Sequence, residues 1–208
     1  MNLKHVSRLP IVILTLLMLS TPRTLFAQHS VDPATLNPPV PPAYNPVCKS
    51  VGAGTICTVQ FTQLFPGGSG VICPTAGGTY EVLQTQTRSV EGHRYYDQNG
   101  DLTRRLFHEV DTGTYINPIA HVSVSFSGRL TTLQDLSIPG DINSGTQAMT
   151  GPWRVFVPRG GVVVIEVGKF VFTGDGNTLL SESGPHPFLD YFYFGDTAGL
   201  QPLCDALR

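Results

Sequence analysis

Five histidines follow residue 27: His29, His93, His108, His121 and His186. Imidazole is the side chain best suited to proton transfer near neutral pH and is a common metal ligand. His108 is followed by Glu109 and Asp111, and a neighbouring strand carrying His93 or His121 would complete a donor set. No His-Glu-x-x-His pattern is present, so solvated or hydrogen-bonded strand histidines are the simpler reading and no metal is expected. His186 and Asp190 have the types of an oriented base, but no Gly-x-Ser-x-Gly elbow supplies a nucleophile, and catalytic residues are left unassigned. Arg94, Tyr95 and Tyr96 face Arg104 and Arg105 across Asn99-Gly100, the one local concentration of positive charge. With His108 and His121, the residues Arg94, Tyr96 and Arg104 form a candidate rim for an anionic ligand or glycan. A solvated hairpin explains the same residues. The run Tyr191-Phe192-Tyr193-Phe194 can line a cavity or join a core. No cofactor is expected.

Strands must position these groups. Cys57, Val59, Phe61 and Phe65 share one parity, and Thr58, Gln60 and Thr62 share the other. Val122, Val124 and Phe126 alternate in the same way with His121, Ser123 and Ser125. Period-2 alternation marks half-buried strands. Further strands are expected at 79–90, 102–110, 129–136, 146–150, 153–157, 162–173 and 178–183. Val162–Val167 is apolar on both faces at its start and is expected in the centre of the sheet. Asp97-Gln98-Asn99-Gly100-Asp101 and Gly174-Asp175-Gly176-Asn177 carry turn chemistry. Leu200, Leu203, Cys204 and Leu207 have the spacing of a short amphipathic helix. The expected fold class is all-β: an antiparallel barrel or sandwich of eight or more strands with a short C-terminal helix.

Composition agrees. Charged residues are 13% of the 208, against about 25% in an ordinary soluble domain. Gly (22) and Pro (17) are abundant, which fits tight turns and excludes a long coiled coil. Lys4 and Arg8 precede an apolar run from Leu9 to Leu19, and Leu25-Phe26-Ala27 resembles a cleavage site. Residues 1–27 therefore read as a secretory signal peptide. The run is short against the roughly 20 residues that span a bilayer, so no stable membrane insertion is expected after cleavage. Cleavage removes Lys4, Arg8 and Arg23 from the 13 basic residues and leaves all 15 acidic ones, moving the net charge from −2 to −5. That balance argues against a nucleic-acid partner, which demands a basic face. Residues 28–46 hold six prolines and read as an extended leader, and 47–208 as one all-β domain.

Cys48, Cys57, Cys73 and Cys204 remain after cleavage. An even count in an exported chain favours disulfides, and the C-x2-C pairs of a zinc site are missing. Three pairings are possible. Cys48–Cys57 with Cys73–Cys204 is preferred, because Gly52-Ala53-Gly54 can turn the chain between the first pair and the second would pin the helix to the sheet. The localisation expected is secreted, periplasmic or extracellular.

The Cys48-x8-Cys57 loop precedes Phe61-Thr62-Gln63-Leu64-Phe65 and Cys73. Arg94-Tyr95-Tyr96-Asp97-Gln98-Asn99-Gly100-Asp101-Leu102-Thr103-Arg104-Arg105 follows, then Asn117-Pro118, Pro158-Arg159-Gly160-Gly161-Val162-Val163, Gly168-Lys169, Gly184-Pro185-His186 and Leu203-Cys204-Asp205-Ala206-Leu207. In this order the segments resemble an uncharacterised family of small secreted bacterial proteins. The resemblance covers nearly all of the folded region and implies export, an all-β fold and two disulfides. It implies no activity. Ile119-Ala120 stands where that family commonly has Thr-Gly, so this turn is expected to differ.

Three functions fit such a domain. The first is a non-catalytic binding module for a small apolar ligand or a glycan. The second is an enzyme resembling small-barrel cyclases and dirigent-like proteins, which work with few catalytic side chains. The third is a structural envelope or surface protein. A hollow interior separates the first two from the third.

Overall fold

The computed structural model describes residues 29–208. The expected signal peptide lies outside the described residues. Ten strands form the fold: β1 (Val47–Val51), β2 (Gly54–Thr75), β3 (Gly78–Tyr96), β4 (Leu102–Ile116), β5 (Ser123–Asp135), β6 (Thr146–Thr150), β7 (Trp153–Val157), β8 (Gly161–Glu166), β9 (Lys169–Thr173) and β10 (Leu179–Ser183). All pairings between them are antiparallel. A helical segment follows, comprising α1 (Pro187–Leu189) and a wider turn at Asp190–Phe194, and the chain closes on α2 (Gln201–Ala206).

β2 to β5 form a meander of long strands, and β5 is its branch point. Its first half pairs with β7, from Ser125 opposite Phe156 to Gly128 opposite Trp153. Its second half pairs with β6, from Thr131 opposite Thr150 to Asp135 opposite Thr146. One branch continues from β7 to β8, the other from β6 through β9 to β10. The sheet does not close into a barrel: β1, β8 and β10 each pair with a single strand. An antiparallel open sheet or sandwich is therefore the architecture. The outer edge of β1 is met by residues 29–31, where Val31 N–H donates to the Cys48 carbonyl and Ser50 N–H to that of His29. Pairing of this kind protects an otherwise exposed strand edge.

Three details differ from the sequence reading. Residues 162–173 are two strands, because Gly168 takes a φ of 139° and the chain passes there from one branch to the other. β8 lies at an edge rather than in the centre, with Val164 buried against the core while Val162 and Ile165 are exposed. The proline-rich leader is packed rather than extended away. Its Leu36 and Val40 are buried, at 4% and 2% exposure, in a cluster with the Cys48–Cys57 disulfide, Val59, Tyr96 and Leu102. Prolines remove donors but do not prevent burial of the apolar side chains between them. The backbone of Asn37 is tied as well, donating to Gly100 and accepting from Leu102.

The larger core lies at the other end of the sheet. It joins Val71, Val82, Tyr115, Phe126 and Val155 to Leu200, Leu203 and Leu207 of the C-terminal segment. The disulfides are Cys48–Cys57 and Cys73–Cys204, as preferred from the sequence. The second pins α2 to the end of β2. Between the two cores the inner face of the sheet is polar.

Candidate functional site

Alternation places Gln84, Gln86 and Arg88 of β3 on the same face as the buried Tyr80, Val82 and Val90. It places Glu109 and Asp111 of β4 on the face of the buried Tyr115. Arg88 and Asp111 are register partners. Arg88 Nε donates to Asp111 Oδ1 at 2.9 Å and lies 3.4 Å from Glu109 Oε2. Gln86 Nε2 donates to the same Asp111 oxygen at 2.5 Å, and the Thr132 hydroxyl donates to Glu109 Oε1 at 2.8 Å. Asp111 is fully buried and its Oδ2 has no hydrogen-bond partner among the described residues. Burying a carboxylate is tolerated only with such charge and hydrogen-bond compensation.

This network borders a cavity of about 240 Å³. The cavity lies at the fork of β5, where the two branches of the sheet separate: Leu130 comes from β5, Met149 from β6, Trp153 from β7 and Phe170 from β9. Gln84, Gln86 and Arg88 supply a polar wall. Phe188 and Phe192 of the helical segment also line it. Two glycines make room for its aromatic side. A Cβ on Gly128 would come within 2.5 Å of the Trp153 ring, and one on Gly113 within 2.5 Å of the Phe126 ring. Their absence lets Tyr115, Phe126 and Trp153 stack in series, with centroids 4.5 and 4.9 Å apart.

Glu166, the last residue of β8, also lines the cavity. Its Oε2 accepts the backbone N–H groups of Phe188 at 2.9 Å and Leu189 at 3.3 Å. Burial nevertheless holds its carboxyl above the usual range, outweighing these bonds and the nearby His186. Burial likewise raises the Tyr115 hydroxyl. The Tyr191 hydroxyl ties the helical segment to β2, accepting from Ile72 N–H at 2.9 Å. The arrangement is chemically a small aromatic chamber with a charged, hydrogen-bonded wall and one protonatable carboxyl. A larger depression of about 460 Å³ follows β1 and β2 between Asn45 and Gln60, but none of its polar lining residues is buried.

The residues singled out in the sequence do not converge here. Arg94 and Tyr96 are on the inner face but belong to the leader's packing: Arg94 Nη1 and Nη2 approach the Pro39 and Pro38 carbonyls, each at 3.4 Å, and the Tyr96 hydroxyl donates to Pro38 at 3.2 Å. Burial pushes Tyr96 up to about 12, against the lowering effect of Arg94 and Arg105. Arg104 is exposed and pairs with Asp135. His108 is exposed, bonded through Nδ1 to the Thr131 hydroxyl at 3.1 Å. His121 is exposed in the turn after β4, at a φ of 57°. The expected rim is thus divided between two faces and a distant turn.

His108 is separated from Glu109 and Asp111 by strand alternation, and among the described residues no three His, Cys, Asp or Glu side chains gather as for a metal. His186 is buried and its Nε2 bonds the Ser183 carbonyl oxygen at 2.9 Å, while Asp190 meets His186 only through a backbone bond. Of the run Tyr191–Phe194 only Phe192 lines the cavity, while the Tyr191 hydroxyl bonds the β2 backbone.

The signal missed in the sequence is polar residues at core parity. Gln84-x-Gln86-x-Arg88 continues the inward positions of Tyr80 and Val82, and Glu109-x-Asp111 does the same ahead of Tyr115. Comparison with protein-family models, curated proteins and solved structures finds no match.

Proposed function

We propose that this chain is an exported, non-catalytic binding module that takes a small, largely apolar aromatic ligand in the cavity at the fork of β5. The observation that carries the reading is the pairing of an aromatic chamber with a few convergent buried polar groups, the usual make-up of a small-molecule site. At about 240 Å³ the chamber lies below the roughly 300–1,000 Å³ of drug-sized sites, so the ligand is small. Export is supported by the signal-like residues 1–27 and by two disulfides, which persist in oxidising compartments. Among the described residues no helix is long and apolar enough to cross a membrane.

Trp153 is the only tryptophan and lines the cavity, so it reports occupancy directly. Titration with the neutral aromatic amine N-phenyl-1-naphthylamine is expected to quench Trp153 and sensitise the probe, saturating at one probe per chain. Leu130→Phe, which fills the chamber, is expected to weaken binding at least tenfold. Absence of saturable energy transfer overturns the reading.

A second reading, an enzyme that works on a bound compound with few catalytic side chains, is favoured by Glu166. A carboxyl with a raised pKa in an apolar chamber is a common general acid. Turnover of a bound compound, lost in Glu166→Gln while binding persists, supports the enzyme over the binding module.

A further inference from the structure

A different site lies at the opposite end of the inner face. Arg94 of β3 and Arg105 of β4 are register partners, so their side chains leave directly opposed positions on the same face of the sheet. Arg94 is 5% exposed and Arg105 is half-buried. Among the described residues neither has a carboxylate within 4.0 Å. Arg105 donates through Nε to the neutral Gln134 Oε1 at 2.7 Å, and its Nη2 approaches the same oxygen. Among the described residues Arg94 hydrogen-bonds only the two proline carbonyls, at 3.4 Å each, and its buried Nε has no acceptor. The aromatic faces of Tyr96 and Phe107 lie 5.5 and 5.9 Å from the two guanidinium carbons. These contacts offset part of the desolvation, but no full negative charge balances the pair. Burial lowers the pKa of both groups, and at Arg105 the charge of Arg94 lowers it further.

Elsewhere on the same face the fold balances a buried charge with its opposite, as at Arg88 and Asp111. Two adjacent cations left uncompensated are the elements of an oxyanion site, since guanidinium groups match carboxylate and phosphate oxygens with paired N–H donors. We propose that Arg94 and Arg105 bind a single oxyanion group, a carboxylate or a phosphate, beneath the proline-rich segment. The anion takes the free Arg94 Nε–H and donors of Arg105, entering from the half-buried Arg105 side. Pro38 and Pro39 form the roof, and their long contacts to Arg94 are the ones exchanged for the stronger charge-assisted bonds. The site is independent of the aromatic chamber.

The test is thermal unfolding of the full folded chain with sodium phosphate or sodium acetate, each compared with sodium chloride at equal ionic strength. At about ten times the dissociation constant the bound anion is expected to raise Tm by roughly 3–5 °C over chloride. Stabilisation by acetate alone identifies a carboxylate site, and by phosphate alone a phosphate site. Arg105→Gln is expected to remove the effect, while Arg154→Gln, at an exposed position, keeps it. If Arg105→Gln does not fold, arginine Nε–H resonances of the unmodified protein decide. Saturable shifts of Arg94 and Arg105 support the site. Equal stabilisation by all three salts, retention of the effect in Arg105→Gln, or shifts confined to surface arginines overturns it.

Discussion

Arg88 and Asp111 stand opposite each other on β3 and β4, joined by a 2.9 Å bond from Nε to Oδ1 on the inner face. Asp111 is fully shielded while the Arg88 side chain is 32% exposed. Removing the acid leaves Gln86 unpaired and the partly buried Arg88 with Glu109 as its remaining counter-charge. Breaking a buried pair costs about 3–5 kcal/mol, and the exposure of Arg88 places Asp111→Ala near the lower end. The exposed Arg104–Asp135 pair is the control: Asp135→Ala is expected to cost under about 1 kcal/mol. Urea denaturation of both variants checks the contrast, and equal costs would show that the inner pair stabilises no more than the exposed one.

Glu166 makes stability depend on pH in a stated direction. Burial raises its pKa from the ordinary 4.5, so the folded protein favours the protonated form more than the unfolded chain does. Its favourable contribution is complete below the unfolded pKa and is lost as pH rises through the higher folded one. Glu166→Gln keeps an oxygen for the Phe188 and Leu189 N–H groups but does not titrate. Subtracting the variant's stability from that of the parent at each pH is therefore expected to give a difference that falls across that window and is flat above and below it. A difference that rises with pH would reverse the assigned shift.

The alternation of β2 to β5 was legible because each strand buries one parity against a core. The branching of β5 was not: both halves carry the same alternation, and which half meets β6 or β7 depends on pairings remote in sequence. The stretch from Val162 to Phe172 likewise carries strand-forming residues on both sides of Gly168, and the passage between branches there divides it. The basic residues near Asn99-Gly100 were grouped by closeness along the hairpin. Register shows why that fails, since Arg94 opposes Arg105 on the inner face while Arg104 opposes Tyr95 on the outer one. The cavity was illegible for a related reason. Gln86 and Asp111 are ordinary surface residue types until the register shows that their parity is the buried one.

The two disulfides close loops of very different length, with sequence separations of 9 and 131. In the chain-entropy model these correspond to about 2.5 and about 5 kcal/mol at 25 °C. Replacing Cys73 and Cys204 together by Ser is expected to cost about twice as much as replacing Cys48 and Cys57. It also frees α2, whose Leu203 is fully buried beside Leu207. Guanidinium denaturation measures the ratio, and amide exchange at residues 201–206 reports the release. Unchanged exchange there would mean that leucine packing alone holds the helix.

The packed leader has a measurable consequence at Leu36. This side chain is 4% exposed and lies against Leu102 and the Cys48–Cys57 bridge, although its neighbours in sequence are polar or proline. Truncating a buried leucine to alanine costs about 2–5 kcal/mol, through lost transfer energy and the cavity left behind. Leu36→Ala is therefore expected to lower the urea midpoint substantially. Leu64→Ala, at a site 72% exposed, is expected to change stability by less than about 0.5 kcal/mol. Were residues 28–46 a spacer, the two substitutions would be equally silent. The Tyr96 bond to Pro38 gives a second handle: Tyr96→Phe removes the hydroxyl donor but keeps the ring beside Arg94. A loss of about 1 kcal/mol, with faster amide exchange at Asn37, would locate the clamp on this carbonyl.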